Sequence, residues 1–262
     1  MTANRERQAA DEVDPAGGAR PGEGRPGNPV PEASVAAMFD DIAPVYDRLN
    51  TLMTAGLDGR WRRAAVAATG LSTGDAAIDV ACGTGKLSEA LAERVGPFGR
   101  VVGVDLAPAM VAAARRTYRD VIQLEFSVAN ALELPFPDGA FDAATISFGL
   151  RNLASYEAGF RELARVVRPG GRVVCLELSL PRPRPLGRLY HATFRRFAPF
   201  LGRLFGRRAA YRYLPESLAG FPDPDQLVGT MRRAGLAEPA YRRLALGAVA
   251  LHVGRVPEKR GA

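Results

Sequence analysis

An apolar run, Ala76–Ala81, leads into Cys82-Gly83-Thr84-Gly85, and about one strand–helix–strand unit later Val101-Val102-Gly103-Val104 ends on Asp105. Glycines at a strand end let the backbone turn sharply and approach a ligand closely, and an acid closing the next strand can grip a ribose. Together they describe a site for a nucleotide-like cofactor. A lone Gly-x-Gly is also found as a plain tight turn; the context of Asp79 and Asp105 favours the cofactor.

The turn reads Cys82-Gly83-Thr84-Gly85-Lys86-Leu87-Ser88, so it lacks the third glycine of a dinucleotide fingerprint and the Gly-Lys-Ser/Thr ending of a phosphate-binding loop. The expected cofactor is a nucleoside without a pyrophosphate. S-adenosylmethionine fits: an adenine, a ribose with two hydroxyls for Asp105, and an amino-acid tail over the turn at Gly83, Thr84 and Gly85. Asp79 is expected to fix that turn and to meet the cofactor's amino group.

The elements needed to hold these residues follow from pattern. Ser34 suits an N-cap for a helix over Val35–Asp47, and a second helix is expected over Leu57–Thr69 with Trp61 on its apolar side. From Gly74 the chain alternates: strand Ala76–Ala81, helix Leu87–Val95, strand Arg100–Asp105, helix Pro108–Tyr118, strand Ile122–Ser127, strand Phe141–Phe148, helix Tyr156–Val167, a turn at Arg168–Gly171, and strand Arg172–Leu178. This rhythm is that of a parallel sheet. A helix over Pro224–Ala234 and strands near Glu238–Leu244 and Ala248–Gly254 close the chain.

Bulk properties set the bounds. With 262 residues, 47% of them hydrophobic, the chain can bury one α/β core. Residues 1–33 hold Gly, Pro and charge with almost no large apolar side chains, and are expected to form a disordered tail; residues 257–262 are expected as a short C-terminal tail. The domain is expected over 34–256. No secretory signal or membrane-spanning run is expected. Two cysteines, Cys82 and Cys175, and two histidines give neither a disulfide framework nor a zinc site, so no metal is expected and the default compartment is cytoplasmic.

The net charge of +7 has one main source. No acid occurs between Glu177 and Glu216, whereas Arg182, Arg184, Arg188, Arg195, Arg196, Arg203, Arg207, Arg208 and Arg212 fall inside, interleaved with Leu and Phe at roughly helical spacing. This basic amphipathic insertion, about 181–222, is expected as a lid over the strand ends. Its two readings are contact with an anionic membrane surface and an ordinary solvated helix face covering the sheet. Nucleic acid is disfavoured: Phe148-Gly-Leu-Arg-Asn152 follows the fourth strand where an Asn/Asp-Pro-Pro-aromatic motif would be expected, and no aromatic stacking platform is seen.

Particular segments narrow the reading. Met38-Phe-Asp-Asp-Ile-Ala-Pro-Val-Tyr-Asp-Arg-Leu-Asn50, Ile146-Ser-Phe-Gly-Leu-Arg-Asn152, Arg165-Val-Val-Arg-Pro-Gly-Gly171, Glu177-Leu-Ser179, Tyr211-Arg-Tyr-Leu-Pro-Glu-Ser217 and Leu246-Gly-Ala-Val-Ala-Leu-His252 resemble the quinone-ring C-methyltransferases of menaquinone and ubiquinone biosynthesis. The resemblance runs from about Val35 to Val256. It implies an α/β fold, a Rossmann-like seven-stranded class I methyltransferase sheet with N-terminal helices and a helical lid insertion. It places cofactor contacts on Thr84, Asp105, Asn130, Ala131 and Ser147. Thr54, Asp58 and Arg168 depart from the family's usual Ser, His and Lys.

The implied reaction carries a methyl group from S-adenosylmethionine to a ring carbon of demethylmenaquinol, giving menaquinol. A prenylated naphthoquinol would be the substrate, and peripheral contact with the inner face of the cell membrane would bring the enzyme to it. Another phenolic acceptor, such as a ubiquinone precursor, and a non-catalytic cofactor-binding scaffold are the alternatives; a homo-oligomer is left open. A phenol titrates near 10, so the site must favour the phenolate. Arg151 is the expected contact to the acceptor oxygen. Tyr46 and Asp47 are expected to cover the cofactor or relay a proton, with a core aromatic and a helix-end residue as the plainer alternatives.

Overall fold

The computed structural model describes residues 27–54, 56–179, 213, 217–218 and 220–258. The arginines of the basic insertion from Arg182 to Arg212, His191 and most of the expected lid lie outside the described residues, as do 1–26 of the expected tail and 259–262.

Three helices come first: α1 (Glu32–Ile42), α2 (Tyr46–Met53) and α3 (Asp58–Thr69). Then follow β1 (Ala76–Val80), α4 (Lys86–Val95), β2 (Arg100–Asp105), α5 (Pro108–Thr117), β3 (Leu124–Val128), β4 (Phe141–Ser147), α6 (Tyr156–Val166) and β5 (Val167–Leu178). A further helix, α7 (Pro224–Arg233), precedes β6 (Ala237–Leu244) and β7 (Val249–Arg255). The seven strands form one sheet in the order β3-β2-β1-β4-β5-β7-β6. The first five pair in parallel, and β7 runs antiparallel to both β5 and β6.

Strands β1, β2 and β4 are buried on both faces, which explains their near-continuous apolar runs, whereas the edge strand β3 alternates buried and exposed residues. On one face Ile78, Val80, Ile146 and Val173 pack with Phe160 and Leu163 of α6 and Leu227 and Met231 of α7. On the other, Ala77, Val101, Ala143 and Val174 pack with Val66 of α3, Leu91 of α4 and Val111 of α5. From β1 the strand order runs outward to β2 and β3 on one side and from β4 to β5 on the other, and such a switch point opens a crevice at the carboxyl ends of the strands.

Four expectations need correction. The single helix over Val35–Asp47 is two: Pro44 has no N–H to donate, and residues 43–45 form a turn between α1 and α2. Ser34 is no N-cap, since α1 begins at Glu32 and the Ser34 N–H donates to Pro31 O. β3 begins at Leu124, leaving Ile122 exposed, because parallel pairing with Val101 starts there. Order also begins before residue 34: the Asn28 N–H donates to Leu153 O at 2.8 Å, and Asn28 is buried. The side chains add to that hold, Asn28 Nδ2 donating to Tyr213 OH and Glu32 Oε2 accepting from Asn130 Nδ2.

Candidate functional site

The turn after β1 is built by left-handed backbone. Ala81 has φ 54°, followed by Gly83 at 56° and Gly85 at 88°. A side chain at Gly85 would collide with Phe126 and Tyr118, so that position needs glycine for room as well as conformation. The turn is fastened to β2: the Gly83 N–H donates to Asp105 Oδ2 at 2.8 Å, and Asp105 Oδ1 accepts from the Ala107 N–H at 2.9 Å. Each oxygen of Asp105 keeps a further lone pair. Burial raises the Asp105 pKa, the backbone N–H groups of Ala107, Gly83 and Leu106 opposing that shift and the Asp40 charge adding to it.

Asp47 bridges α2 and the glycine turn. Its Oδ1 accepts from Thr84 Oγ1 at 2.6 Å and its Oδ2 lies 3.7 Å from Lys86 Nζ, so it clamps α2 to the glycine turn. Tyr46, beside it, faces Gly83 and packs edge-on to Phe39 with ring centroids 6.0 Å apart. Burial raises its phenol pKa above the usual 10. Asp79 is fully buried and accepts from Ser88 Oγ at 2.6 Å and Thr145 Oγ1 at 2.7 Å. Desolvation without a direct cationic partner pushes it up to about 6. It therefore fixes the turn through Ser88 in α4, the helix that follows the turn.

A cleft of about 680 Å³, its open mouth included, lies across the carboxyl ends of β1 to β4. Tyr46, Gly83, Asp105, Asn130, Ala131 and Ser147 all line it. Thr84, Asp47 and Asp79 line an adjoining polar cavity of about 470 Å³, with Asp58 and Arg62. Asp58, one of the departures from the family pattern, is thus at the glycine-turn end, paired with Arg62 one helical turn on. Thr54 merely closes α2, its Oγ1 donating to Asn50 O.

Sequence reasoning missed the lid-like wall that α1 forms over the cleft. Glu32, Val35, Ala36 and Phe39 share one face and line it, and their spacing of three, one and three was the available signal. Asp40 ties this helix down by accepting from the Ala109 N–H at 2.7 Å. At the β3 end Asn130 Nδ2 donates to Glu32 Oε2 at 2.9 Å while Asn130 Oδ1 accepts from the Leu132 N–H at 2.8 Å.

Arg151 sits in a short 3-10 turn, Leu150–Asn152, and its Nη1 donates to Glu177 Oε1 at 2.5 Å and to Phe148 O at 2.6 Å. Glu177 is fully buried and also accepts from the backbone N–H of Leu178 and Arg151. The guanidinium is therefore a paired cation. Its Nε is buried with no acceptor among the described residues. Phe148, whose carbonyl it holds, has φ 55° and lines both cavities; such strain in a non-glycine residue gathers at working sites. Nearby, Asn28 Nδ2 donates to Tyr213 OH at 2.5 Å and Tyr213 OH donates to Asn152 Oδ1 at 2.8 Å, so three distant segments meet. His252 is elsewhere, buried in β7 with Nε2 3.2 Å from Pro224 O, and burial lowers its pKa to about 4.

The model of the ubiE/COQ5 methyltransferase family matches residues 28–256. The demethylmenaquinone methyltransferase of Thermus thermophilus is 48% identical over 84% of this chain and 100% of its own length. A ubiquinone/menaquinone biosynthesis C-methyltransferase UbiE from Geobacter sulfurreducens is 40% identical over 83% of this chain and 86% of its own. Among solved structures, a SAM-dependent methyltransferase from Thermotoga maritima superposes with a TM-score of 0.59 at 17% identity, covering 84% of this chain and 98% of that one, a likeness of fold.

Proposed function

The chain belongs to the ubiE/COQ5 methyltransferase family, and on that premise we propose that it moves a methyl group from S-adenosylmethionine to a ring carbon of demethylmenaquinol, giving menaquinol. The observation that carries this reading is the cleft at the switch point. In it one carboxylate, Asp105, holds the glycine turn and keeps lone pairs toward the cavity.

The residues fit the cofactor. Asp105 would take the ribose hydroxyls and the turn at Gly83 would pass under the amino-acid tail. The polar cavity beside Asp79, Thr84 and Arg62 suits a zwitterionic end. Asn130, Ala131 and Ser147 would complete the contacts. When bound, the cofactor supplies an electrophilic methyl group on a positively charged sulfur.

The protein's own part is positioning and charge. Methyl transfer to carbon needs an electron-rich ring, so the acceptor is the reduced quinol, and it loses one proton as the new carbon–carbon bond forms. The Arg151 Nε–H would donate to the acceptor oxygen and favour its phenolate form. Glu177 fixes that guanidinium in place. Tyr46 and Phe148 wall the cleft where ring and methyl donor must meet, and water exclusion there strengthens each polar contact. Asp47 acts as the clamp on Thr84.

Two kinds of relative leave the acceptor to experiment. The full chain is incubated with methyl-labelled S-adenosylmethionine and chemically reduced demethylmenaquinone, beside a reduced ubiquinone precursor. Label is expected in the naphthoquinol product; label in neither product removes the proposal. For access to a bilayer-borne substrate the nine arginines between Arg182 and Arg212 would hold the protein to an anionic surface. Co-sedimentation with anionic and not neutral vesicles is expected, and failure to sediment with either rejects the contact.

A further inference from the structure

Resting on the cofactor reading above, we propose that Glu32 reads the exocyclic amino group of the cofactor's adenine, and so sets specificity for the base. Glu32 opens α1 and lines the cleft, where its two oxygens are treated differently. Oε2 accepts from Asn130 Nδ2 at 2.9 Å, whereas Oε1 is buried with no partner among the described residues. A buried acceptor left without a donor gives up its hydration with nothing in return. The geometry offers that oxygen to a ligand that enters the cleft and brings an N–H or O–H group.

The order of the strands says which part of the ligand arrives there. Gly83 and Thr84 stand at the end of β1, Asp105 at the end of β2 and Asn130 beyond the end of β3, three neighbours in the sheet. A nucleoside lying across them with its tail at β1 and its ribose at β2 brings its base to the β3 end. The ribose hydroxyls are spent on Asp105. The remaining donor on an adenine is its amino group. Asn130 is unsuited to accept that bond itself, since its Oδ1 already takes the Leu132 N–H and its Nδ2 is given to Glu32. Asn130 is a positioning residue that aims the Glu32 carboxylate.

The test uses the full chain and two ligands, S-adenosylhomocysteine and S-inosylhomocysteine, in which a carbonyl oxygen replaces the amino group. Calorimetric binding by the wild type is expected to favour the amino compound about tenfold, the scale of one hydrogen bond to a charged acceptor. In Glu32→Gln, Asn130 Nδ2 retains the amide oxygen and the amide NH2 takes the place of Oε1, so it faces the base as a donor. The preference is expected to fall to parity or reverse toward the inosine compound. The ratio is taken within one protein, so a general loss of stability leaves it unmoved. Equal wild-type affinities, or an unchanged ratio in Glu32→Gln, overturn the assignment while leaving the cofactor reading standing. Wild type that takes up neither ligand overturns both.

Discussion

Asp79 and Glu177 are both buried near the carboxyl ends of parallel strands, one in β1 and the other in β5, but their partners differ in kind. Asp79 accepts from two hydroxyls, Ser88 and Thr145; Glu177 takes the Arg151 guanidinium and two backbone N–H groups. Asp105, on the cofactor side with Asp79, is likewise held by neutral donors only. Neutral donors offset only part of the desolvation, so burial raises both acids, Asp79 to about 6. A buried cation locks its partner and the loop that bears it. The β1–β2 strand ends are thus a responsive side and the β4–β5 ends a rigid side.

The rigid side is open to the most damaging change. Glu177→Leu leaves the Arg151 charge buried without its partner, and loss of one member of such a pair costs about 3–5 kcal/mol. Chemical denaturation should register that loss, and Arg151→Met added to Glu177→Leu should restore most of it while turnover stays low and S-adenosylhomocysteine affinity stays near that of the wild type. If the double variant is as unstable as the single one, the lock is packing and not charge.

On the responsive side the effect is smaller and depends on pH. The folded pKa of Asp79, about 6, lies above its unfolded value of 3.8, so the native state binds the proton more tightly. Below 3.8 both states are protonated; as pH rises, the unfolded state ionises first and stability falls until the folded group ionises near 6. The shift is worth roughly 3 kcal/mol. Denaturation of wild type and Asp79→Asn between pH 4 and 7 should show the variant gaining on the wild type with rising pH. A constant difference would mean that Asp79 is better solvated than its burial implies.

The finest distinction lies at the rim. Thr84→Val removes the single bond to Asp47, and should weaken S-adenosylhomocysteine binding about fivefold, or about 1 kcal/mol, with little change in melting temperature. An unaltered affinity would mean that the α2 clamp is not part of the responsive side.

Much of this was legible beforehand. Strands β1, β2 and β4 declare themselves because a strand covered on both faces must be apolar throughout, and the glycine turn and Asp105 are close enough in sequence to be read as one unit. The ends were less legible. Glu32 stands in a stretch whose Gly and Pro content argues for disorder, and only its contact with Asn130, 98 residues on, shows that it is held. Pro44 divides the first helix at a residue whose effect depends on whether the chain resumes its turn beyond it.

The sequence by itself determined the α/β alternation, the left-handed turn and the class of ligand, because each rests on local periodicity and backbone conformation. Only the tertiary structure decided that Arg151 is tied to Glu177, that Asp47 clamps Thr84, and that Glu32 keeps one oxygen for a ligand. Those depend on β4 lying beside β5 and on α1 and α2 folding back over the strand ends. Electrostatic pairing acts over a few ångströms of space, whatever the number of residues between the partners.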